Sequence, residues 1–181
     1  MNTIAHAATA AALLCGVLAT DASAQLAPVR VRLPGYNLPL SLDSVAGPPE
    51  TISAGFEVTR AAAAAVLEEL KIPATTNDPA GLVGNGGFRL LRRFGNDRLS
   101  TFFECGTGLS GPQADIWRLT AAVMLWVERA GDAGSRVRIA LVAGAQDLDP
   151  STRRSAGCGS TGALETIVID RIRKRATTPQ P

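Results

Sequence analysis

Alternating apolar residues between positions 114 and 145 constrain the fold of this chain more than any other feature. In the segment Ala114 to Glu128, the apolar residues at every second position are Trp117, Leu119, Ala121, Val123, Leu125 and Val127. After the turn Gly131-Asp132-Ala133-Gly134, the alternation resumes at Val137, Ile139, Leu141, Ala143 and Ala145, against Arg136, Arg138 and Gln146. A period of two is typical of a strand with one buried face, so the sequence predicts a half-buried antiparallel hairpin.

Two segments with helical spacing flank this hairpin. The first is predicted to begin at the N-cap Thr59 and to run through Leu70, because Pro73 cannot continue a helix. Its apolar stripe is Ala63, Val66, Leu67 and Leu70. The second is predicted to follow Ser160 or Thr161, with the stripe Leu164, Ile167, Val168 and Ile172. Such a regular stripe predicts that Ile167 is buried against the strands.

Further strands are predicted between the first helix and the hairpin. Phe88, Leu90, Arg92 and Phe94 alternate, Gly95-Asn96-Asp97 turns the chain, and Leu99, Thr101, Phe103 and Cys105 continue the alternation. Residues 147–159 are predicted to be a loop. The fold class is therefore α+β, with a curved antiparallel sheet of about four strands packed against an N-proximal and a C-terminal helix.

The 181 residues suit one folded domain with an export signal. An apolar run, Ala7 to Ala19, precedes Ala22-Ser23-Ala24, which is the small-residue pattern of a signal-peptidase site. The sequence predicts a signal peptide at 1–24, an extended edge segment and linker at 25–50, a single domain at 51–176, and a disordered tail at 177–181. The mature protein is expected to be periplasmic or extracellular.

Three cysteines are present, and Cys15 would leave with the signal peptide. The two that remain, Cys105 and Cys158, are predicted to form a disulfide, because exported proteins meet an oxidising compartment.

The absence of histidine after His6 excludes several catalytic classes. Ser-His and Cys-His nucleophile systems need an imidazole, and nearly all zinc sites use one. Carboxylates remain, and Glu104, Asp115, Asp147 and Asp149 are the candidates for a carboxylate-dependent hydrolase. A hard cation could also bind at Asp147, Asp149 and Ser151, but this segment lacks the glycine and the distal glutamate of a calcium loop. No metal or cofactor is predicted.

Two glycine-rich loops match the pattern G-x-G-x-x-G, at 106–111 and 157–162. Neither lies in the strand-loop-helix unit that a dinucleotide site needs. A disulfide would bring them together, so an anion or ligand could meet backbone N–H groups there, and the candidate residues are Gly106, Thr107, Gly108, Gly159, Ser160 and Thr161. Turn and helix-capping geometry is the alternative. A third run, 81–87, is either a binding loop or a flexible entry into a strand.

The charge is nearly balanced, with 18 basic and 16 acidic residues. This balance and the expected export argue against a nucleic-acid partner. Arg92/Arg93, Arg153/Arg154 and the basic end of the last helix could contact lipid phosphate or an acidic partner, or could form a solvated face.

Three segments carry a family resemblance: Gly81 to Asn85, Cys105 to Leu109 with Ala114-Asp115, and Cys158 to Glu165. In these segments the chain resembles a group of uncharacterised exported bacterial proteins, which implies no activity. The order of elements also resembles the helix-grip domains of the lipoprotein that is the C subunit of the outer-membrane β-barrel assembly machinery. This chain differs from that lipoprotein in lacking a convincing lipidation site.

The sequence therefore predicts a non-enzymatic exported envelope domain. It would bind a protein partner, or a small apolar or anionic ligand held between the sheet and a helix. The His-free hydrolase is the alternative.

Overall fold

A computed structural model of the protein describes residues 26–149 and 151–178, so the predicted signal peptide and the end of the predicted tail lie outside the described residues. The strands are β1 (Arg30–Val31), β2 (Leu40–Ser41), β3 (Glu50–Ile52), β4 (Thr76–Asn77), β5 (Leu82–Leu91), β6 (Arg93–Phe94), β7 (Asp97–Arg98), β8 (Phe103–Glu104), β9 (Thr107–Gly108), β10 (Gly111–Pro112), β11 (Arg118–Ala130), β12 (Gly134–Gln146) and β13 (Ser155–Ser160). The α-helices are α1 (Phe56–Glu69), α2 (Gln113–Ile116) and α3 (Ala163–Thr177), and short 3₁₀ turns span Leu42–Val45 and Leu99–Thr101.

The predicted hairpin is the centre of the main sheet. β11 and β12 pair antiparallel over their full lengths, from Arg118 opposite Gln146 to Ala130 opposite Gly134. The strand order is β7-β6-β5-β11-β12-β13-β8, and β3 and β4 pair with β12 and β5. The fold is α+β with an antiparallel sheet, as predicted, but the sheet has more than the four strands expected from the sequence.

The two surplus strands beside β12 come from segments without apolar alternation. All of β13 but its last residue lies in the region predicted as a loop, and the strand pairs with the end of β12, with Cys158 opposite Ala143. β3 pairs with the start of β12, with Ile52 opposite Ser135. A short strand next to a long central one gains its hydrogen bonds from that partner, so it can form without apolar alternation in its own sequence.

Two predicted strand segments begin differently in the structure. Residues 99–101 form a 3₁₀ turn, because the carboxylate of Asp115 accepts hydrogen bonds from the N–H and the hydroxyl of Ser100, at 2.9 and 2.8 Å. The segment predicted as a strand from Ala114 starts instead with the single turn α2, and β11 begins at Arg118. Asp115 lies in α2, so its hydrogen bonds to Ser100 join the two turns and hold both segments out of the predicted strands.

Helices α1 and α3 pack together on one face of the sheet and enclose the main core. The buried members of their stripes are Ala63, Val66, Leu67, Leu164, Val168, Ile169 and Ile172. Helix α1 starts one turn earlier than predicted, at Phe56, and the hydroxyl of Thr59 instead accepts a hydrogen bond from Ser135 at 2.7 Å. Ile167, predicted to be buried, is half-buried, and Ile169 takes the core position.

Residues 26–49, which we call the strap, cover the opposite face of the sheet. A second core lies there, made of Val31, Leu33 and Leu42 of the strap and Ala122, Met124, Trp126, Ala140 and Val142 of the hairpin. The indole N–H of Trp126 donates to the carbonyl of Ala27 at 3.0 Å. The hairpin is therefore buried on both faces, and the prediction of a half-buried hairpin is corrected.

Candidate functional site

The disulfide joins the two glycine-rich loops, as the sequence predicts. Cys105 and Cys158 are bonded, with their Cα atoms 4.2 Å apart, and both are buried. The bond connects the end of β8 to the middle of β13, at the edge of the main sheet.

The candidate anion-binding residues use their polar groups within the fold. Gly159 and Ser160 pair with β8, and Thr107 and Gly108 pair with β10. The hydroxyl of Ser160 accepts from the N–H of Gly162 at 3.0 Å, and that of Thr161 donates to the carbonyl of Thr101 at 2.7 Å. Strand pairing and turn geometry account for these contacts, and the N-cap of α3 is Gly162 and not the predicted Ser160 or Thr161. Anion binding by Gly106, Thr107, Gly108, Gly159, Ser160 and Thr161 remains a prediction.

The glycine run at 81–87 is mostly strand, because β5 begins at Leu82. A Cβ on Gly84 would lie 2.3 Å from the carbonyl oxygen of Val123, so the glycine allows β5 and β11 to approach closely. The β5–β11 register shifts between Ala121 and Val123, opposite Gly86 and Gly87. These glycines shape the sheet and do not form a loop.

The candidate catalytic carboxylates hold loops in place. Asp147 accepts from the N–H of Asp149 and from Arg154, whose guanidinium lies 2.6 Å away, and these bonds hold the pKa of Asp147 below its usual value. Hydrogen bonds from Ser151 lower the pKa of Asp149 in the same way. Among the described residues, no three His, Cys, Asp or Glu side chains are grouped to hold a metal ion. Glu104 is exposed on β8.

Asp115 is expected to contribute to stability through its two bonds to Ser100. Replacing Asp115 with alanine should lower the free energy of unfolding by about 1–2 kcal/mol, because the N–H of half-buried Ser100 loses its acceptor. Urea denaturation of the variant and of Glu104→Ala, whose side chain is exposed, checks this. Equal midpoints for the two variants would contradict it.

A cleft lies where α3 meets the end of α1 and the β6–β7 hairpin, and we call it the α3 cleft. Its volume is about 490 Å³. The lining residues are Glu69, Leu70, Lys71, Leu90, Arg93, Phe94, Gly95, Asn96, Asp97, Phe102, Leu164, Ile167 and Arg171. The apolar lining comes from the residue after α1, from β5 and β6, from Phe102 after the second 3₁₀ turn, and from α3. The half-burial of Ile167 reflects its position in the wall of the cleft.

Three cations line the same cleft: Lys71, Arg93 and Arg171. None of them forms a salt bridge with another described residue. The carboxylate of Glu69 is paired with Arg175, which leaves Asp97 as the acid that faces these three cations without a salt bridge of its own. The cleft thus combines apolar walls with a surplus of positive charge.

Lys71 stands in a left-handed backbone conformation, with φ at 62°. It follows the last turn of α1, where its N–H donates to the carbonyl of Glu68 and the N–H of Ile72 donates to that of Leu67, both at 2.9 Å. This is a Schellman ending, in which glycine is the favoured residue at the left-handed position. A lysine there is strained by about 1 kcal/mol, and such strain is often found at functional sites.

A second cavity, of about 410 Å³, is lined by the last residues of the strap, by Ile139 of β12 and by the other side of α3. Its charged lining residues are Glu50, Glu165, Asp170 and Arg173, and Arg173 pairs with both Glu50 and Asp170. Oε2 of Glu165 is buried without a partner. This cavity carries a surplus of negative charge, so the α3 cleft is the better of the two for an anion.

Two of the predicted basic residues lie at the α3 cleft: Arg93, and Arg171 near the C-terminal end of α3. Arg154, Arg173 and Arg175 are instead paired with carboxylates, and Arg92 and Arg153 are exposed. Sequence reasoning missed Lys71. Its position two residues beyond the last residue of α1, and two before Pro73, was the available signal.

Comparison of the chain with models of protein families, with curated proteins and with solved structures finds no match. Among the described helices, none is long and apolar enough to span a membrane.

Proposed function

We propose that this protein is a non-enzymatic envelope domain that binds a small amphipathic anion in the α3 cleft. The observation that carries the proposal is the meeting of three cations, none of them in a salt bridge within the described chain, with an apolar floor. Ligand sites are commonly concave, largely apolar and equipped with a few polar groups that orient the ligand.

The walls of the cleft suit an alkyl or acyl chain. Phe102 and Leu164 are 2% and 1% exposed, so they form a firm floor, while Leu90, Phe94 and Ile167 are half-buried around it. Covering half-buried apolar surface is favourable at about 25 cal/mol per Å², which gives a chain a reason to enter. A volume near 490 Å³ lies within the usual range of small-molecule sites.

The setting of the proposal is the cell envelope. The disulfide indicates a location outside the cytoplasm. Export through the signal peptide at 1–24 and a periplasmic or extracellular location remain proposals. A helix-grip-like relationship is also a proposal, and it would rest on the two helices packed together across a curved antiparallel sheet. Peripheral contact with a membrane through Arg92 and Arg153 is a further proposal of the same kind.

Calorimetric titration with decanoate below its micelle concentration tests the proposal. Decanoate is expected to bind. Acetate, which lacks the long alkyl chain, and 1-decanol, which lacks the negative charge, should each bind at least tenfold more weakly. Arg171→Gln should weaken decanoate binding by about threefold to tenfold, since it removes one charge at close range. Arg89→Gln, on an exposed side chain of β5 outside the cleft, is the matched control.

Two results would overturn the proposal. One is equal affinity for decanoate and 1-decanol, which would remove the role of the cations. The other is an equal loss of affinity in Arg171→Gln and Arg89→Gln, which would place binding elsewhere or make it nonspecific.

A further inference from the structure

We infer that the ligand of the α3 cleft carries a doubly charged phosphate monoester head, and that Lys71 is held in its strained conformation to meet that head. The inference rests on the proposed function and names the class of ligand. It depends on three features of the cleft: its charge surplus, the separate origins of its cations, and the backbone of Lys71.

The charge surplus favours a dianion. Lys71, Arg93 and Arg171 face one acid without a salt bridge, Asp97, since Glu69 is neutralised by Arg175. A monocarboxylate would leave one positive charge unmatched, whereas a phosphate monoester carries close to two negative charges at neutral pH.

The three cations come from three different elements. Lys71 follows α1, Arg93 lies in β6 and Arg171 in α3. A phosphate monoester presents three strong acceptor oxygens and a carboxylate presents two, so the phosphate offers more acceptors to cations from three elements. One N–H of Arg93 already donates to the carbonyl of Asn96, and its guanidinium has further donors. The guanidinium groups suit oxyanion recognition, and the lysine adds a compact point charge.

The backbone of Lys71 supplies the third argument. Glycine would end α1 with the same hydrogen bonds and without strain at a φ of 62°. Arg92 and Arg153 also have a positive φ, but of these three residues only Lys71 lines the cleft, where the strain is accounted for if its ammonium group is required. The turn itself therefore does not depend on the lysine, and the residue can be exchanged without damage to the fold.

The pH dependence of binding separates a phosphate head from other anions. Histidine is the ordinary side chain that changes charge between pH 5 and 8, and the single histidine of the chain, His6, precedes the described residues. The charged groups that face the cleft are Glu69, Lys71, Arg93, Asp97 and Arg171. The second pKa of a phosphate monoester is about 6, so the charge of such a ligand changes in this range, and a ligand of fixed charge is the control for changes in the protein.

The experiment compares decyl phosphate with decyl sulfate, which has the same tail and a fixed single charge. Titrations of the full chain at pH 5.0 and 7.5 are expected to show about fivefold to tenfold tighter binding of decyl phosphate at the higher pH. Decyl sulfate should change by less than about twofold. Inorganic phosphate, which has the head without the tail, should bind far more weakly than decyl phosphate.

Variants of Lys71 test its role. Lys71→Gly should bind decyl phosphate several-fold more weakly and show a smaller pH dependence, because two of the three cations remain, while its urea midpoint is equal to or higher than that of the parent protein. Lys71→Gln should show the same loss of binding. Lys174→Gln, at the other lysine of the chain, is the charge-matched control and should bind as the parent does.

The outcomes distinguish this inference from the proposed function. Decyl sulfate that binds as tightly as decyl phosphate at pH 7.5, or a Lys71→Gly variant with the parent pH dependence, would overturn the phosphate inference alone. If decanoate, decyl sulfate and decyl phosphate all failed to bind, the phosphate inference and the proposed function would both be overturned.

Discussion

Replacement of Gly144 with alanine is expected to lower the free energy of unfolding by about 3 kcal/mol or more and to release the strap. A Cβ at position 144 would lie 2.0 Å from the carbonyl oxygen and 2.7 Å from the nitrogen of Pro34. Backbone atoms cannot rotate away as a side chain can, so β12 or the strap must move. Burial of a large apolar side chain is worth about 1.5–3 kcal/mol, and Val31, Leu33 and Leu42 depend on the strap's position.

Urea denaturation followed by tryptophan fluorescence measures this effect, since Trp126 lies under the strap and donates to Ala27. The control is Gly159→Ala on β13, where a Cβ would meet nothing within 4 Å, and its cost should stay within about 0.5 kcal/mol. Equal midpoints for the two alanine variants would show that the strap does not lie against β12 at Pro34.

Periodic patterns were sufficient to predict the central elements. The alternation of Trp117 to Val127 and of Val137 to Ala145 predicted β11 and β12, and helical spacing predicted α1 and α3. These signals are local, because a strand or helix buries the same face at each repeat. The strap covers Ala122, Met124 and Trp126 on the other face of β11, but the prediction followed the polar Arg136, Arg138 and Gln146 and expected that face to be solvated.

The remaining elements could not be predicted because they depend on distant contacts. β13 contains no apolar alternation, and its small residues matter through tertiary packing: a Cβ on Gly157 would lie 2.9 Å from the ring of Tyr36. The turn at 99–101 depends on Asp115, fourteen or more residues away along the chain. Neither signal is visible within a window of the sequence.

The candidate site could not be predicted for the same reason, because it depends on contacts between distant parts of the chain. The α3 cleft is assembled from the end of α1, the β6–β7 hairpin and α3, which are far apart in the chain. Each part had been recognised separately, as a helix end, a Gly95-Asn96-Asp97 turn and an apolar stripe. Both helices were expected against the sheet, but no local pattern shows that the end of α1, the β6–β7 hairpin and α3 meet at one place.

Loss of the disulfide is the second large effect, and replacing both Cys105 and Cys158 with alanine is expected to destabilise the fold by about 2–5 kcal/mol. The bond joins residues 53 positions apart, for which the entropy of closing the loop corresponds to about 4 kcal/mol. It also anchors β8, which pairs with β13 through Gly159 and Ser160 alone.

Thiol titration of the unreduced, denatured protein should find neither of these two cysteines free, and urea denaturation compares the variant with the parent. The parent under a reducing agent is the matched control, because it loses the covalent bond and keeps the cysteine side chains in the core. If the reduced parent and the alanine variant both kept the parent's midpoint, the cross-link would contribute nothing to the native state. If the variant alone were destabilised, the loss would come from packing around the buried Cys158 and not from the bond.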